Sequence, residues 1–269
     1  MVAFPMASCS DYLFDTHVHL DRLPAEFDPT DEIALAQQHQ IRRFLLPGIE
    51  PQYWRRLLKL ADTLPGCLAA PGVHPQAAQL WNDDIAAQLC ALLDLPQVVA
   101  IGEIGLDGHL PQVSANIQER TFREQLALAR QTGLPVVLHC RKATGRLLAI
   151  LREEKAHTVG GIWHSFSGSL ETARAAMELN FAIAFGGPLT WPGARRGPEV
   201  LQALPAEWIV LESDAPDLAP HPHRGEPNRP AYLSLVAERV AALRGWSLEE
   251  TARITTANAC RVLGLNVRG

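Results

Sequence analysis

The chain has 269 residues, 47% of them hydrophobic, and a formal net charge of -5. It holds ample apolar material for a core and no apolar run long enough to cross a bilayer, and its acidic balance is the wrong one for a nucleic-acid binder that relies on a basic surface. The five cysteines (Cys9, Cys67, Cys90, Cys140, Cys260) are scattered and form no C-x-x-C pair, which argues against a disulfide framework or a cysteine zinc site and for a reducing compartment. The stretch Met1 to Ser10 has no basic segment of a signal peptide, so a cytoplasmic protein is expected.

Strands and helices alternate along the chain. Residues 13–20 read as a first strand, and period-two alternation would put Asp15, His17 and His19 on one face. A helix follows over 30–40, with Thr30 or Asp31 as its cap. A second strand covers 42–46, then a helix with proline at its start covers 51–62. The third strand, 67–71, runs into Gly72-Val73-His74-Pro75. A helix at 83–94 leads to a fourth strand at 98–102, and a long amphipathic helix at 116–131 leads to a fifth strand at 135–139. A helix near 145–154, a sixth strand at 160–164, a helix near 170–179 and a seventh strand at 181–185 come next. A loop rich in Gly, Pro and Arg then precedes an eighth strand at 208–212, and helices at 231–243 and 248–260 end the chain.

Eight strands alternating with helices, mostly apolar on both faces, imply a parallel sheet covered by helices. The count favours an α/β fold of the closed (β/α)8 TIM-barrel type, with residues 1–269 as a single domain and an open sheet as the alternative. In such a barrel the chemistry sits at the C-terminal ends of the strands. The first strand ends in His17 and His19, the fourth runs into Glu103, the fifth into His139, the sixth into His164 and the eighth into Asp214. Unpaired buried charges are costly, whereas a metal satisfies such a set together. Imidazole and carboxylate suit Zn, Mn, Fe or Ni, and carboxylate-rich sites also admit Mg. Glu103 stands where a bridging carboxylate is needed, since none of Lys59, Lys142 or Lys155 ends an expected strand. Asp214 is the candidate general base. Arg141 suits a bidentate phosphate contact. His74 is a candidate donor to a substrate oxygen, and Ser165, within His164-Ser165-Phe166-Ser167-Gly168, lies before a helix start suited to an anion. His221 and His223 are expected at the rim, and His39, His109 and His157 on the surface.

The chain resembles the TatD-type metal-dependent hydrolases of the amidohydrolase-like barrel group. The resemblance is carried by Phe14-Asp15-Thr16-His17-Val18-His19-Leu20-Asp21, Gly72-Val73-His74-Pro75, Gly102-Glu103-Ile104-Gly105-Leu106-Asp107 and Leu138-His139-Cys140-Arg141. It continues through His164-Ser165-Phe166-Ser167-Gly168-Ser169, Leu211-Glu212-Ser213-Asp214-Ala215-Pro216 and Asn228-Arg229-Pro230, with phrases most similar to the YjjV branch. It implies two divalent metal ions (Mg, Mn or Zn), one held by His17, His19, Glu103 and Asp214, the other by Glu103, His139 and His164. It also implies a nuclease, typically a 3′-to-5′ exonuclease on single-stranded DNA or RNA. The chain departs from the common family pattern at Gln76, Gly108 and Ser213, none of them an implied ligand.

The leading expectation is therefore a metal-dependent phosphodiesterase acting on nucleic-acid ends, monomeric and without a membrane or an obligate protein partner. The rival is hydrolysis of a small ester or amide, or of an aminoacyl-tRNA ester, at the same site. A metal-stabilised binding scaffold is the non-enzymatic alternative, and Asp214 weighs against it, because a structural site has no need of a base.

Overall fold

A computed structural model of the chain describes residues 12–265; the Met1 to Ser10 stretch and Cys9 lie outside the described residues. Strands β1 (Leu13–Asp15), β2 (Ile41–Pro47) and β3 (Cys67–Ala70) pair in parallel, in that order. So do β4 (Ile101–Asp107), β5 (Val136–Arg141), β6 (Gly161–Trp163), β7 (Phe181–Phe185) and β8 (Ile209–Leu211). Two seams close these arcs into a ring. At one, Thr16 N donates to Leu211 O at 3.0 Å and Asp214 N to His17 O at 2.9 Å. At the other, Val99 N donates to Ala69 O at 3.0 Å and Gly102 N to Pro71 O at 3.2 Å. The second seam needs glycine, since a Cβ on Gly72 would lie 2.7 Å from the carbonyl carbon of Gly102.

The helices α1 (Pro29–Gln38), α2 (Trp54–Thr63), α3 (Asp83–Leu92), α4 (Ala115–Thr132), α5 (Thr144–Glu153), α6 (Leu170–Met177), α7 (Arg196–Ala203) and α8 (Leu233–Arg244) wrap the ring. Local chemistry starts several of them. Asp28, Asn82, Ser114 and Ser169 accept backbone N–H groups at the first turns of α1, α3, α4 and α6. The large outer core joins outward strand residues such as Phe44 and Phe181 to helix residues such as Phe122 and Leu147. Fully burying one such side chain contributes about 1.5–3 kcal/mol. A second, smaller cluster holds Phe14, Leu45, Val137, Ile162, Ala182, Ala184 and Val210. It packs on Ala259, Cys260 and Leu263 at the end of α9 (Leu248–Val262) and just beyond it. Among the described residues, no helix is long and apolar enough to cross a membrane.

The expected architecture holds, with local corrections. Asp28, not Thr30 or Asp31, caps the first helix, and Thr30 and Asp31 lie within its first turn. The first strand stops at Asp15 rather than continuing to Leu20, because the backbone groups that follow are divided between β2, which keeps only Val18 N through Leu45 O, and other partners. Thr16 N bonds Leu211 O, and His19 N bonds Ala215 O. Asp15 consequently does not share a face with His17 and His19. Its carboxylate instead receives the Ser213 N–H at 2.8 Å and the Ser213 hydroxyl at 2.5 Å. The fourth strand begins three residues later than its apolar run suggests and places Glu103 inside it, while Val98 makes only a bridge to Ala69. The fifth strand runs two residues past His139, so Lys142 does follow a strand end, but it is exposed. The segment after β7, expected as loop, contains α7, whose Pro198, Val200 and Leu201 are buried; proline is tolerated in a first helical turn.

Candidate metal centre

Strand parity builds the site. Val137, Ile162 and Val210 belong to the inner apolar cluster, and His139, His164 and Glu212 each lie two residues further along the chain. Side chains two apart share a face, so a polar layer sits above the apolar one at the C-terminal end of the barrel. Glu103 enters this layer from within β4, His17 and His19 from just after β1, His74 from the turn after β3, and Asp214 from just after β8.

The structure brings all six expected ligand residues together. Glu103 Oε2 lies 3.4 Å from His17 Nε2 and 3.9 Å from His19 Nε2. Its other oxygen lies 2.6 Å from His139 Nδ1, 3.7 Å from His164 Nε2 and 3.8 Å from His74 Nε2. Asp214 Oδ1 lies 3.8, 4.0 and 3.9 Å from the Nε2 atoms of His17, His19 and His164. The His17 and His164 rings stack with centroids 3.5 Å apart.

Burial pushes the imidazoles of His17 well below, and of His19 down to about 4, overcoming the pull of Glu103. Burial also lowers His74 to about 3. His139 and His164 go the other way. Burial opposes their protonation, but Glu103 and Asp107 lift His139 to about 9, and Glu212, Asp214 and Glu103 lift His164 to about 10. Glu103 is held well below the usual carboxylate range, because His164, His17, His139 and His74 outweigh the effect of burial. Asp214 is raised well above that range by burial, with Glu212 and Glu103 adding to it against the pull of His164.

The donor set fits a divalent metal. His17 Nε2 and His19 Nε2 face each other at 3.1 Å, and His17 Nδ1 is buried with no hydrogen-bond partner among the described residues. Neutral imidazoles turned toward one point beside an ionised carboxylate are metal donors rather than a self-satisfied core. Three trios among the described residues are near enough to share an ion: His17, His19 and Asp214; His17, His164 and Glu212, which share His17; and, separately, His74, Glu103 and His139. The membership of His74 in the last is tempered by its tautomer. Its Nδ1 accepts the Gln76 N–H at 3.1 Å, so the neutral ring carries its hydrogen on Nε2 and presents a donor.

Ser165 and Arg141 are placed differently from the cluster. Ser165 is half-buried, and its N–H donates to Glu212 Oε1 at 2.7 Å. Arg141 is exposed at the end of β5, level with Asp107 across the ladder, and forms no ion pair among the described residues. His221 is exposed and His223 half-buried, the latter stacked on Tyr232 with ring centroids 4.1 Å apart. His39, His109 and His157 are exposed.

Three supporting groups escaped the reading of the sequence. Glu212 Oε2 lies 3.0 Å from His164 Nδ1, fixing which nitrogen turns to the centre. Asp107 Oδ2 lies 3.1 Å from His139 Nε2, and its other oxygen accepts the His109 N–H at 2.7 Å. Asn228 donates to the carbonyls of Ser213 and Asp217, pinning the chain on both sides of Asp214. Period two was the available signal for Glu212, which stands two residues after Val210.

A family model described as TatD related DNase matches residues 14–264. The chain belongs to this family. Its relatives include an uncharacterized metal-dependent hydrolase, YabD, of Bacillus subtilis, 39% identical over 94% of this chain and 100% of that protein. Another is the 3′-5′ ssDNA/RNA exonuclease TatD of Klebsiella pneumoniae, 34% identical over 96% of this chain and 100% of that one. The crystal structure of the TatD homologue YjjV from Escherichia coli superposes with a TM-score of 0.88 at 33% identity, covering 94% of this chain and 98% of that one. The protein is thus a metal-dependent hydrolase of the TatD family, with the TIM-barrel-like fold of that family.

Proposed function

We propose that this TatD-family protein hydrolyses phosphodiester bonds at the ends of single-stranded DNA or RNA, with 3′-to-5′ polarity, using two divalent metal ions. The observation that carries the proposal is Glu103, whose carboxylate lies within 4.0 Å of all five imidazoles of the cluster. One ion would be held by His17, His19, Glu103 and Asp214, the other by Glu103, His139 and His164. When bound, such ions supply Lewis acidity to water and to a phosphoryl oxygen. The naming of relatives as 3′-5′ ssDNA/RNA exonucleases supports the substrate class.

The chain's own groups supply the proton handling and the placement of substrate. Asp214, buried just after β8 with Oδ1 facing the His17, His19 and His164 rings, takes the proton of the attacking water as that oxygen bonds to phosphorus. The opposite P–O bond breaks, and the proton goes to the departing alkoxide. His74, neutral and presenting N–H from Nε2, donates to a phosphoryl oxygen. Arg141 holds a phosphate at the rim. Ser165 lies beside the substrate path, where its backbone fixes Glu212 and leaves its hydroxyl for the substrate.

The test is hydrolysis of end-labelled single-stranded DNA and RNA oligonucleotides by metal-stripped protein with Mg, Mn or Zn restored, beside Asp214→Ala. The expected result is metal-dependent laddering from the 3′ end that is absent in the variant. Protein that binds metal yet leaves every oligonucleotide intact would move the reading to a small or aminoacyl ester.

A further inference from the structure

A cavity of about 330 Å³ opens beside the metal centre, between the turn after β6 and the segment that joins β7 to α7. Its wall includes Phe166, Phe185 and Leu189, and Arg195 and Arg196 stand at it. The cavity and the centre share a partition. Ser165 and Gly186 line the cavity, and behind them stands Glu212, which accepts the Ser165 N–H at 2.7 Å and meets the His164 ring at 3.0 Å. Gly186 keeps this partition thin, because a Cβ there would lie 3.3 Å from Glu212 Cγ.

What sets the two arginines apart is their place at the cavity mouth, with no glutamate paired to either among the described residues. Arg123, Arg130, Arg146 and Arg229 are paired with glutamates, and Arg244 donates to three backbone carbonyls. Arg195 and Arg196 are exposed and form no ion pair among the described residues; Arg196 makes only a 3.4 Å contact with Ser167 O. On a chain with net charge -5, two adjacent guanidiniums left unneutralised beside an apolar-walled cavity mark a place for a partner that is anionic at one end and flat and apolar at the other. The segment is also braced. Trp191 Nε1 donates to Ala219 O at 2.8 Å, and Arg224 lies over the Trp191 ring at 4.4 Å.

We infer that this cavity is a nucleotide subsite for the unit next to the scissile phosphodiester. The base seats against the Phe166, Phe185 and Leu189 wall, and its phosphate lies between Arg195 and Arg196. The inference rests on the proposed nucleic-acid substrate and deepens it, since it says how an acidic protein grips a polyanion: by a local pair of arginines rather than by overall charge.

The test uses metal-loaded protein and a single-stranded phosphorothioate oligonucleotide, which resists cleavage, with binding read by fluorescence anisotropy across a salt series. Replacing both arginines (R195Q with R196Q) should raise Kd about tenfold and reduce the slope of log K against log salt by about 1. Removing the same charge elsewhere, with R152Q and R253Q on the helix layer, should leave both values unchanged. Ala194→Trp, which fills the cavity and keeps both guanidiniums, should raise Kd without altering the slope. Equal affinity and slope in R195Q/R196Q, or no binding by the unaltered protein, overturns the subsite. Hydrolysis of bis(4-nitrophenyl) phosphate by the unaltered protein tests the phosphodiesterase reading separately, so the two cannot fail unnoticed together.

Discussion

Two pairs of histidines share the centre and differ in one respect. His17 and His19 stand on the β1 side, and His139 and His164 on the β5 and β6 side, all close to Glu103. The first pair is pushed down in basicity and the second pair is lifted. Burial disfavours the proton in all four, so burial does not separate them. The carboxylates do: Asp107 reaches His139 and Glu212 reaches His164, whereas, among the described residues, neither member of the first pair has a second carboxylate hydrogen-bonded to its far nitrogen. The lesson is that a buried imidazole is set to donate or accept by what lies behind it.

The comparison is broken most severely at the residues the two pairs share. Glu103→Gln and Asp214→Asn should each lower hydrolysis of bis(4-nitrophenyl) phosphate by roughly 10³-fold, within the range for loss of an acid–base group. Circular dichroism should show an intact fold. Next in size, Glu212→Gln withdraws the charge behind His164 and should weaken metal binding about 10- to 100-fold, as for other groups that orient a metal-binding histidine. Competition with a chromogenic chelator measures this, and an unchanged affinity would contradict the role given to Glu212.

The same contrast predicts the pH dependence of stability in metal-free protein. His19, at about 4 when folded, binds fewer protons than the unfolded chain up to about 6.5, so it makes stability rise with pH across that window. His139 and His164, lifted to about 9 and about 10, bind more protons than the unfolded chain above about 6.5. Their contribution is full below that pH and is lost as pH rises toward 9 and 10. Asp15 and Asp214, both raised by burial, oppose His19 in the acid window, so melting temperature measured in chelator should fall chiefly as pH rises from about 6.5 toward 10. Glu212→Gln should flatten the alkaline fall. The smallest effect belongs to Ser213→Ala, which removes a hydroxyl from the buried Asp15 carboxylate and should cost about 1–3 kcal/mol in denaturant unfolding. A larger loss would mean that Asp15 and Ser213 do more than close the seam.

The clustered residues that follow strands with period two are legible in the sequence. His139, His164 and Asp214 follow apolar strand runs, and the strands themselves lie within a few residues of expectation. Glu103 was found for the wrong geometric reason: it reads as the residue after a strand, yet it lies within β4, because the Val98-Val99-Ala100 run mostly serves the seam with β3. Asp15 was misplaced because alternation assumes a continuous strand, and β1 is only three residues long. The roles of Glu212 and Asp107 depend on which imidazole each one meets across the barrel, and spacing along one chain does not record such partners. Helix α7 was hidden because its glycine and proline read as loop punctuation, while its burial against neighbours is a tertiary fact.

The seam between β1 and β8 has a consequence for how the protein comes into being. The Thr16 hydroxyl meets the Leu211 carbonyl across 195 positions of sequence, and Asp15 meets Ser213 across 198. His17 and His19 therefore leave the ribosome long before Asp214, and the metal pocket cannot close until nearly the whole polypeptide has been made. Contacts of such separation are slow to form, so competence to hydrolyse arrives last and all at once. A chain cut short before β8 would keep most of its histidines and have no enzyme in it.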